Sequence, residues 1–197
     1  MQNLITKLEN KSFPFYEYQL LSSVESILES LKAELMQHTF LGLSKEEAKL
    51  YDSENPFGEE ISNAFPDERE DFIEAARSLA TGRYTSCVFH LTRAIESLTD
   101  KFGVKLGIAD IFRKEWQQVL NEANAQIKRE TSGQAGVTLT PQRKQELAKY
   151  SQVALILEHI KNAWRNPASH GEFFRDFEAK LIYHHVRTLT ESLVKVL

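Results

Sequence analysis

Six consecutive residues near the C-terminus, Arg165 to His170, carry side chains that could act on a phosphodiester. They follow directly on an apolar helical stripe that ends at Trp164. Arginine holds phosphate as a two-pronged donor, and histidine, with an ordinary pKa of about 6.5, exchanges protons near neutral pH. Asn166, beside the arginine, adds a side-chain amide. Together these residue types predict phosphodiester chemistry that needs no metal.

The spacing of the arginine and the histidine requires a break in the helix that carries them. Residues five apart in an α-helix are rotated by about 140°, so Arg165 and His170 would face different ways. Pro167 disfavours helical backbone at Asn166 and cannot donate to the backbone ladder. We therefore expect the helix to end near Arg165 and the two side chains to converge on one ligand. Alternatively, the break is only a helix stop, and Arg165 pairs with an acid such as Glu172.

Apolar residues recur at spacings of three and four through most of the chain, with hardly any strand alternation. This pattern predicts amphipathic helices and an all-α fold. Helices of 15 to 25 residues joined by mostly short connections favour an up-and-down bundle. The predicted helices are residues 15–38, a short helix from Ser44, a segment from Pro66 to Thr81–Gly82, a core helix that stops at Gly103, residues 109–127, a helix opened by Thr140–Pro141 and a last helix capped by Asp176.

The apolar stripes predict which helix faces are buried. In the helix before the motif, Val153, Leu157, Ile160 and Trp164 share one apolar face, which should place Trp164 in the core. Residues Lys128 to Leu139 lack periodicity and are interpreted as a mobile loop. The other predicted stripes are Leu20, Val24, Ile27, Leu31 and Leu35 in the first helix, Phe72, Ala76 and Leu79 after Pro66, Val88, Leu91, Ile95, Leu98 and Phe102 in the core helix, Phe112, Trp116 and Leu120 in the next, and Phe177, Leu181, His185, Leu189 and Leu193 in the last.

Composition is that of an ordinary globular protein of 197 residues, which fits one domain or one domain with an appended segment. We expect a cytoplasmic protein, because no leader pattern or membrane-length apolar stretch is present. The single cysteine, Cys87, excludes an intramolecular disulfide and a cysteine-built zinc site, and we expect it to be buried. Adjacent His184 and His185 cannot share one metal on a helix; His185 is predicted in the core and His184 exposed. No metal and no cofactor are predicted.

Charge is distributed unevenly along the chain. The net charge of −4 argues against a strongly basic nucleic-acid-binding protein. Residues 1–71 carry 6 Lys and Arg against 15 Asp and Glu, whereas residues 140–197 carry 9 against 6. The part with the Arg/His motif is therefore mildly basic and could attract a polyanion locally.

The run from Lys161 to His170, with its Arg165-Asn166 pair and His170, resembles the RNxxxH signature of HEPN-domain proteins. Residues 74–91 are similar to the helical pair that opens these domains, and the last amphipathic helix also fits. The resemblance implies a HEPN-like bundle over residues 66–197, with residues 1–65 as an acidic N-terminal helical extension. Its nearest pattern is that of uncharacterised bacterial members.

The same resemblance implies a metal-independent endoribonuclease, toxin-like or antiphage-like, that works as a homodimer with motifs from both subunits in one cleft. His170 would be the general acid/base, Arg165 would stabilise the transition state, and Asn166 would orient the imidazole or the phosphate. Glu96 on the core helix is the candidate for the upstream acid that often completes such sites. The alternative is a non-catalytic HEPN-like module that binds an antitoxin or other protein partner, a nucleotide or RNA. A third possibility is a structural oligomerisation bundle.

Overall fold

A computed structural model describes residues 17–132, 139–165, 167 and 173–197, apart from the side chains of Glu17 and Phe112. Within these ranges all regular structure is helical, which confirms the all-α helical bundle. The α-helices are α1 (Glu17–Leu35), α2 (Lys45–Tyr51), α3 (Glu59–Ala64), α4 (Arg69–Ala80), α5 (Tyr84–Lys105), α6 (Trp116–Thr131), α7 (Pro141–Ile160) and α8 (Asp176–Val194).

The chain divides into two compact units, Met1–Gly42 and Leu43–Leu197. The first contains α1, which agrees with the helix predicted over residues 15–38. The second contains α2 to α8. This division lies earlier than the predicted boundary at residue 65, because Phe57, Ile61 and Phe65 are buried in the core of the second unit. The short helix α2 begins as predicted, with a reciprocal capping box between Ser44 and Glu47.

Helix α5 is the centre of the second unit and packs against α4, α6 and α8. A 3₁₀ turn, Pro66–Glu68, leads into α4, and Gly82 reverses the chain into α5 with a φ of 72°, which only glycine adopts without strain. The predicted core stripe is confirmed. Its residues are fully buried: Val88, Leu91, Ile95, Leu98 and Phe102. Cys87 is fully buried as well.

The predicted stop of the core helix at Gly103 is wrong. Gly103 is a buried residue inside α5, and the helix continues to Lys105, after which Gly107 takes the left-handed conformation with a φ of 74°. A Cβ built on Gly103 would lie 2.9 Å from Cγ1 of Val119 and would also collide with Ile111. The glycine therefore allows close approach of two segments rather than ending a helix.

The helix predicted over residues 109–127 is wrong at its start. Ile111–Arg113 forms a 3₁₀ turn, and Lys114 is extended. Helix α6 begins afresh at Trp116, because the backbone N–H of Glu115 donates to Oε1 of Gln118 in a capping box. The helix continues to Thr131, into the segment interpreted as a loop; residues 133–138 of that segment lie outside the described residues.

Helix α7 confirms the predicted start, since the hydroxyl of Thr140 accepts from the backbone N–H of Arg143. In α8 the predicted cap is wrong. Asp176 is already helical, and the N-cap is Arg175, whose backbone N–H donates to Glu178. The predicted stripe holds only in the last two turns, because Phe177 is 73% exposed and the inward positions of the earlier turns are Ala179, Ile182 and Val186.

One buried acid fixes α5 to the turn before α4. The Glu68 side chain is 1% exposed, accepts from the hydroxyl of Ser97 and lies 2.8 Å from Nζ of Lys101. A carboxylate without such partners would be costly to bury. Among the helices of the described ranges, none is long and apolar enough to cross a bilayer.

Replacing Gly103 with alanine is expected to lower the free energy of unfolding by about 1–3 kcal/mol, because the added methyl overpacks the contact with Val119 and Ile111. Alanine's better helix propensity acts in the opposite direction. Urea denaturation followed by circular dichroism measures the change. Gly42→Ala, where nothing lies within 4 Å of the added carbon, is the matched control. A Gly103→Ala protein more stable than wild type would contradict the close-approach role.

Candidate functional site

Two carboxylates lie one helical turn apart on α5, away from its buried stripe. Glu96 and Asp100 are at positions i and i+4, so their side chains extend from the same helix face. Both are partly buried. The packing of the opposite face against the core holds the backbone of this pair in place.

Arg165 reaches this face from the end of α7. The last turn of that helix widens into a π-helix, Lys161–Arg165, which packs against α5. Trp164, in the same turn, is partly buried and packs against the core, as predicted in direction. Its ring centroid lies 5.6 Å from that of His159 and 5.3 Å from that of His185. The tryptophan thus fixes the turn from which the arginine extends.

Arg165 and Glu96 form an ion pair across the two elements. Nε of Arg165 donates to Oε1 of Glu96 at 2.8 Å, and the two side chains are 36% and 40% exposed. Within the described ranges, Glu96 is the hydrogen-bond partner of Arg165, and only Nε takes part. Among the described residues, the two terminal nitrogens of the guanidinium have no hydrogen-bond partner, and such nitrogens can bind a planar or tetrahedral anion.

An open cavity of about 480 Å³ adjoins this ion pair. Its lining brings together α5, the start of α6 and the π-helix. The walls carry three acids and three bases, so the cavity as a whole is not a cationic phosphate pocket. Its lining residues are Glu96, Asp100, Lys114, Glu115, Trp116, Gln117, Lys161 and Arg165.

Asp100, a second acid of this site, has a raised pKa. Burial, and then the nearby charge of Glu96, raise the pKa of the Asp100 carboxyl above its ordinary value. A carboxyl that holds its proton at higher pH can donate a hydrogen bond as well as accept one. Asp100 was not predicted from the sequence, although its i,i+4 spacing from Glu96 is the signal that could have found it.

The segment around the motif is tied to α5 on both sides. Arg165 bonds Glu96 before it, and after it the backbone N–H of Phe174 donates to Oγ1 of Thr85 at 3.0 Å. Thr85 and Glu96 are eleven residues apart on one helix, about 16 Å along its axis. Both fixed points therefore belong to the same rigid element.

Two of the four predicted site residues, Arg165 and Glu96, are brought together by the fold. The other two, Asn166 and His170, lie outside the described residues, so their convergence with Arg165 stays a prediction. The alternative partner Glu172 lies outside them too. Sequence reasoning missed Lys114 and Lys161, whose only signal was a basic charge close to an aromatic residue.

Of the two histidines predicted on the last helix, one lies where the sequence predicted and one does not. The placement of His185 in the core is wrong: it is exposed, and its ring packs on Trp164 instead. His184 is exposed as predicted. Across residues 17–132, 139–165 and 173–197, no three His, Cys, Asp or Glu side chains are grouped so as to hold a metal ion.

Glu96→Gln and Arg165→Gln are expected to change the free energy of unfolding by less than about 1 kcal/mol, because a half-exposed ion pair contributes little. Urea denaturation of each variant measures this. Arg187→Gln, which removes a comparably exposed pair with Glu191, is the control. A loss several times larger than the control's would mean that the pair supports the fold rather than a site.

Asp100→Asn is expected to stabilise the protein more at neutral pH than at acidic pH. A carboxyl whose folded-state pKa is raised disfavours folding above that pKa and not below its unfolded value, so removing it helps only where it is ionised. Denaturation at pH 7 and near pH 3 gives the comparison. An equal effect at both pH values would contradict the raised pKa.

No protein-family model, curated protein or solved structure matches this chain.

Proposed function

We propose that this protein is a HEPN-type, metal-independent endoribonuclease whose site includes Arg165, Asn166, His170 and Glu96. One observation carries the proposal: Arg165 and Glu96, 69 residues apart in the chain, meet at 2.8 Å beside an open cavity. Both residues are candidates for this chemistry in the sequence analysis. A cation held by a carboxylate next to open space is the arrangement that orients a guanidinium toward a phosphate.

In the proposed reaction the ribose 2′-hydroxyl attacks the adjacent phosphorus. A His170 imidazole takes the 2′-hydroxyl proton, the P–O5′ bond breaks, and the departing 5′ oxygen receives a proton from a His170 imidazolium. The products are a 2′,3′-cyclic phosphate and a 5′-hydroxyl. General acid/base catalysis by a positioned histidine typically contributes about 10²- to 10⁴-fold.

Glu96 has a positioning role in this scheme. Its bond to Nε sets the plane of the Arg165 guanidinium, and the terminal nitrogens are left for the phosphate oxygens, where charge grows in the transition state. Lys161 lines the same cavity and adds positive charge. We assign the phosphate to the terminal nitrogens of Arg165 and to Lys161, because anions avoid carboxylates such as Glu115.

We further propose a cytoplasmic homodimer, with toxin-like or antiphage-like action and an antitoxin as the corresponding protein partner. Two motifs across a two-fold axis would form a larger phosphate-binding cleft than one. The competing proposal is a non-catalytic module that binds a protein. It is favoured by one observation: α1 exposes a row of large apolar side chains, including Leu21, Leu28 and Leu31.

The test is incubation of the full chain with single-stranded and structured RNA in EDTA, with analysis of product ends. We expect cyclic-phosphate ends, loss of cleavage in His170→Ala, and a fall of about 10²-fold or more in Arg165→Gln. Glu96→Gln should reduce the rate less than Arg165→Gln, because it disorders the guanidinium without removing it. His184→Ala and Arg187→Gln, at exposed positions away from the cavity, should cleave like wild type.

Wild-type cleavage by His170→Ala would refute the assignment of the histidine. Products that end in 3′-hydroxyl groups, or activity that EDTA abolishes, would exclude the proposed reaction. If no RNA is cut and the full chain binds RNA or a protein partner, the non-catalytic proposal replaces it.

A further inference from the structure

Five large apolar residues of α1 form a row along one face of the helix, and all five are exposed. Their exposed fractions run from 43% to 57%. Consecutive members are three, four, three and four residues apart, which is the a/d pattern of a coiled coil. We call this row the α1 seam; it consists of Leu21, Val24, Leu28, Leu31 and Leu35.

The other faces of α1 are those of a helix in water. The positions farthest from the seam carry mostly serine, and the hydroxyls of Ser23 and Ser30 bond back to the carbonyls one turn earlier. The helix carries four acids against one base, Lys32. An apolar face on a helix whose far side is polar can pack on a partner helix with the same spacing, and a second copy of α1 supplies one.

Charge decides how two copies would align. Beside the seam, at the e positions, lie Glu25 and Lys32. In a parallel pair these residues would face Leu20 and Ile27, and no ion pair would form. In an antiparallel pair e residues face each other. In one such alignment each seam residue i packs on seam residue 59 − i of the other copy, so that Val24 meets Leu35. The flanking e positions then bring Glu25 next to Lys32 of the other copy, and this happens twice by symmetry. Shifting this register by one heptad would place Glu25 beside its own copy, which is repulsive.

We propose that α1 forms an antiparallel coiled coil with α1 of a second copy of this chain, with Val24 packed on Leu35 and Glu25 paired with Lys32. An apolar groove of about 600 Å³ at the C-terminal end of α1 supports this register. The groove is lined by the apolar residues Leu28, Leu31, Leu35, Met36 and Phe40 and by the charged residues Glu29 and Lys32. In the proposed alignment it receives Val24 and Leu28 of the second copy.

Cysteine pairing tests the direction and the register. Val24→Cys and Leu35→Cys variants with different tags are co-expressed and oxidised, and a mixed disulfide between them is expected. Each variant oxidised alone should stay uncrosslinked. The native Cys87 does not interfere, because it is fully buried and burial raises the pKa of its thiol to about 12. Disulfides within each single variant would mean a parallel pair, and no disulfide in any mixture would overturn the proposal.

Charge reversal tests the ion pairs. Lys32→Glu is expected to weaken dimerisation by roughly tenfold in sedimentation equilibrium, since two attractive contacts become repulsive. Adding Glu25→Lys should restore it. Lys32 also lies 3.8 Å from Glu29 of its own helix, a contact that Glu25→Lys cannot restore, so rescue is specific to the pair between copies. Failure of the double variant to recover would contradict this alignment.

Leu28→Asp is expected to abolish association through α1, whereas Ser26→Asp, which adds the same charge at an exposed position on the far side of the helix, should leave it unchanged. These measurements use no RNA, so the proposal stands or falls independently of the proposed ribonuclease activity. A dimer that persists unchanged in Leu28→Asp would mean that the copies associate through another surface, and the α1 assignment would be wrong.

Discussion

Burial of one face of α5 is the constraint on which the second unit depends. Leu91, Ile95, Leu98 and Phe102 are fully buried on this helix, and burial of each such side chain contributes about 1.5–3 kcal/mol. Since α4, α6 and α8 all pack on α5, a shift in its register would move every one of them. The absent side chain of Gly103 belongs to the same constraint, because it sets how closely the following segment approaches.

The candidate site is a by-product of that packing. The face of α5 that points away from the core carries Thr85, Glu96 and Asp100. Because the opposite face of the helix is packed in the core, the backbone of these three residues is held in place. Arg165 comes from a different helix, and the contacts of Trp164 with two histidine rings, one of them edge-to-face, fix its last turn. A side chain built on supported elements keeps its orientation better than one on a free loop. The ion pair can therefore orient an arginine although it adds little to stability.

The first unit differs from the second in the burial of its apolar residues. The α1 helix has the apolar spacing of a core helix, yet residues such as Leu28 and Leu31 are more than half exposed. Apolar side chains in a regular row gain free energy only when something covers them. The same periodicity thus has two outcomes: in α5 the apolar residues are buried, and in α1 they are exposed.

Local signals determined much of this fold, because neighbouring residues alone decide where many helices begin, end and turn. The features predicted in this way are the start of α2 at Ser44, the start of α7 at Thr140 and Pro141, the turn at Gly82 and the apolar stripe of α5. Long-range contacts decided other features. Gly103 does not end its helix, because a distant segment needs the space. The start of α6 at Trp116, by contrast, is set by a local capping box between Glu115 and Gln118 that the sequence analysis did not predict. The sequence also indicated Arg165 and Glu96 as candidates, but only tertiary packing could bring together residues on different helices and add Asp100 beside them. Spacing along a chain predicts which residues share a helix face, whereas the three-dimensional packing of helices decides which faces meet.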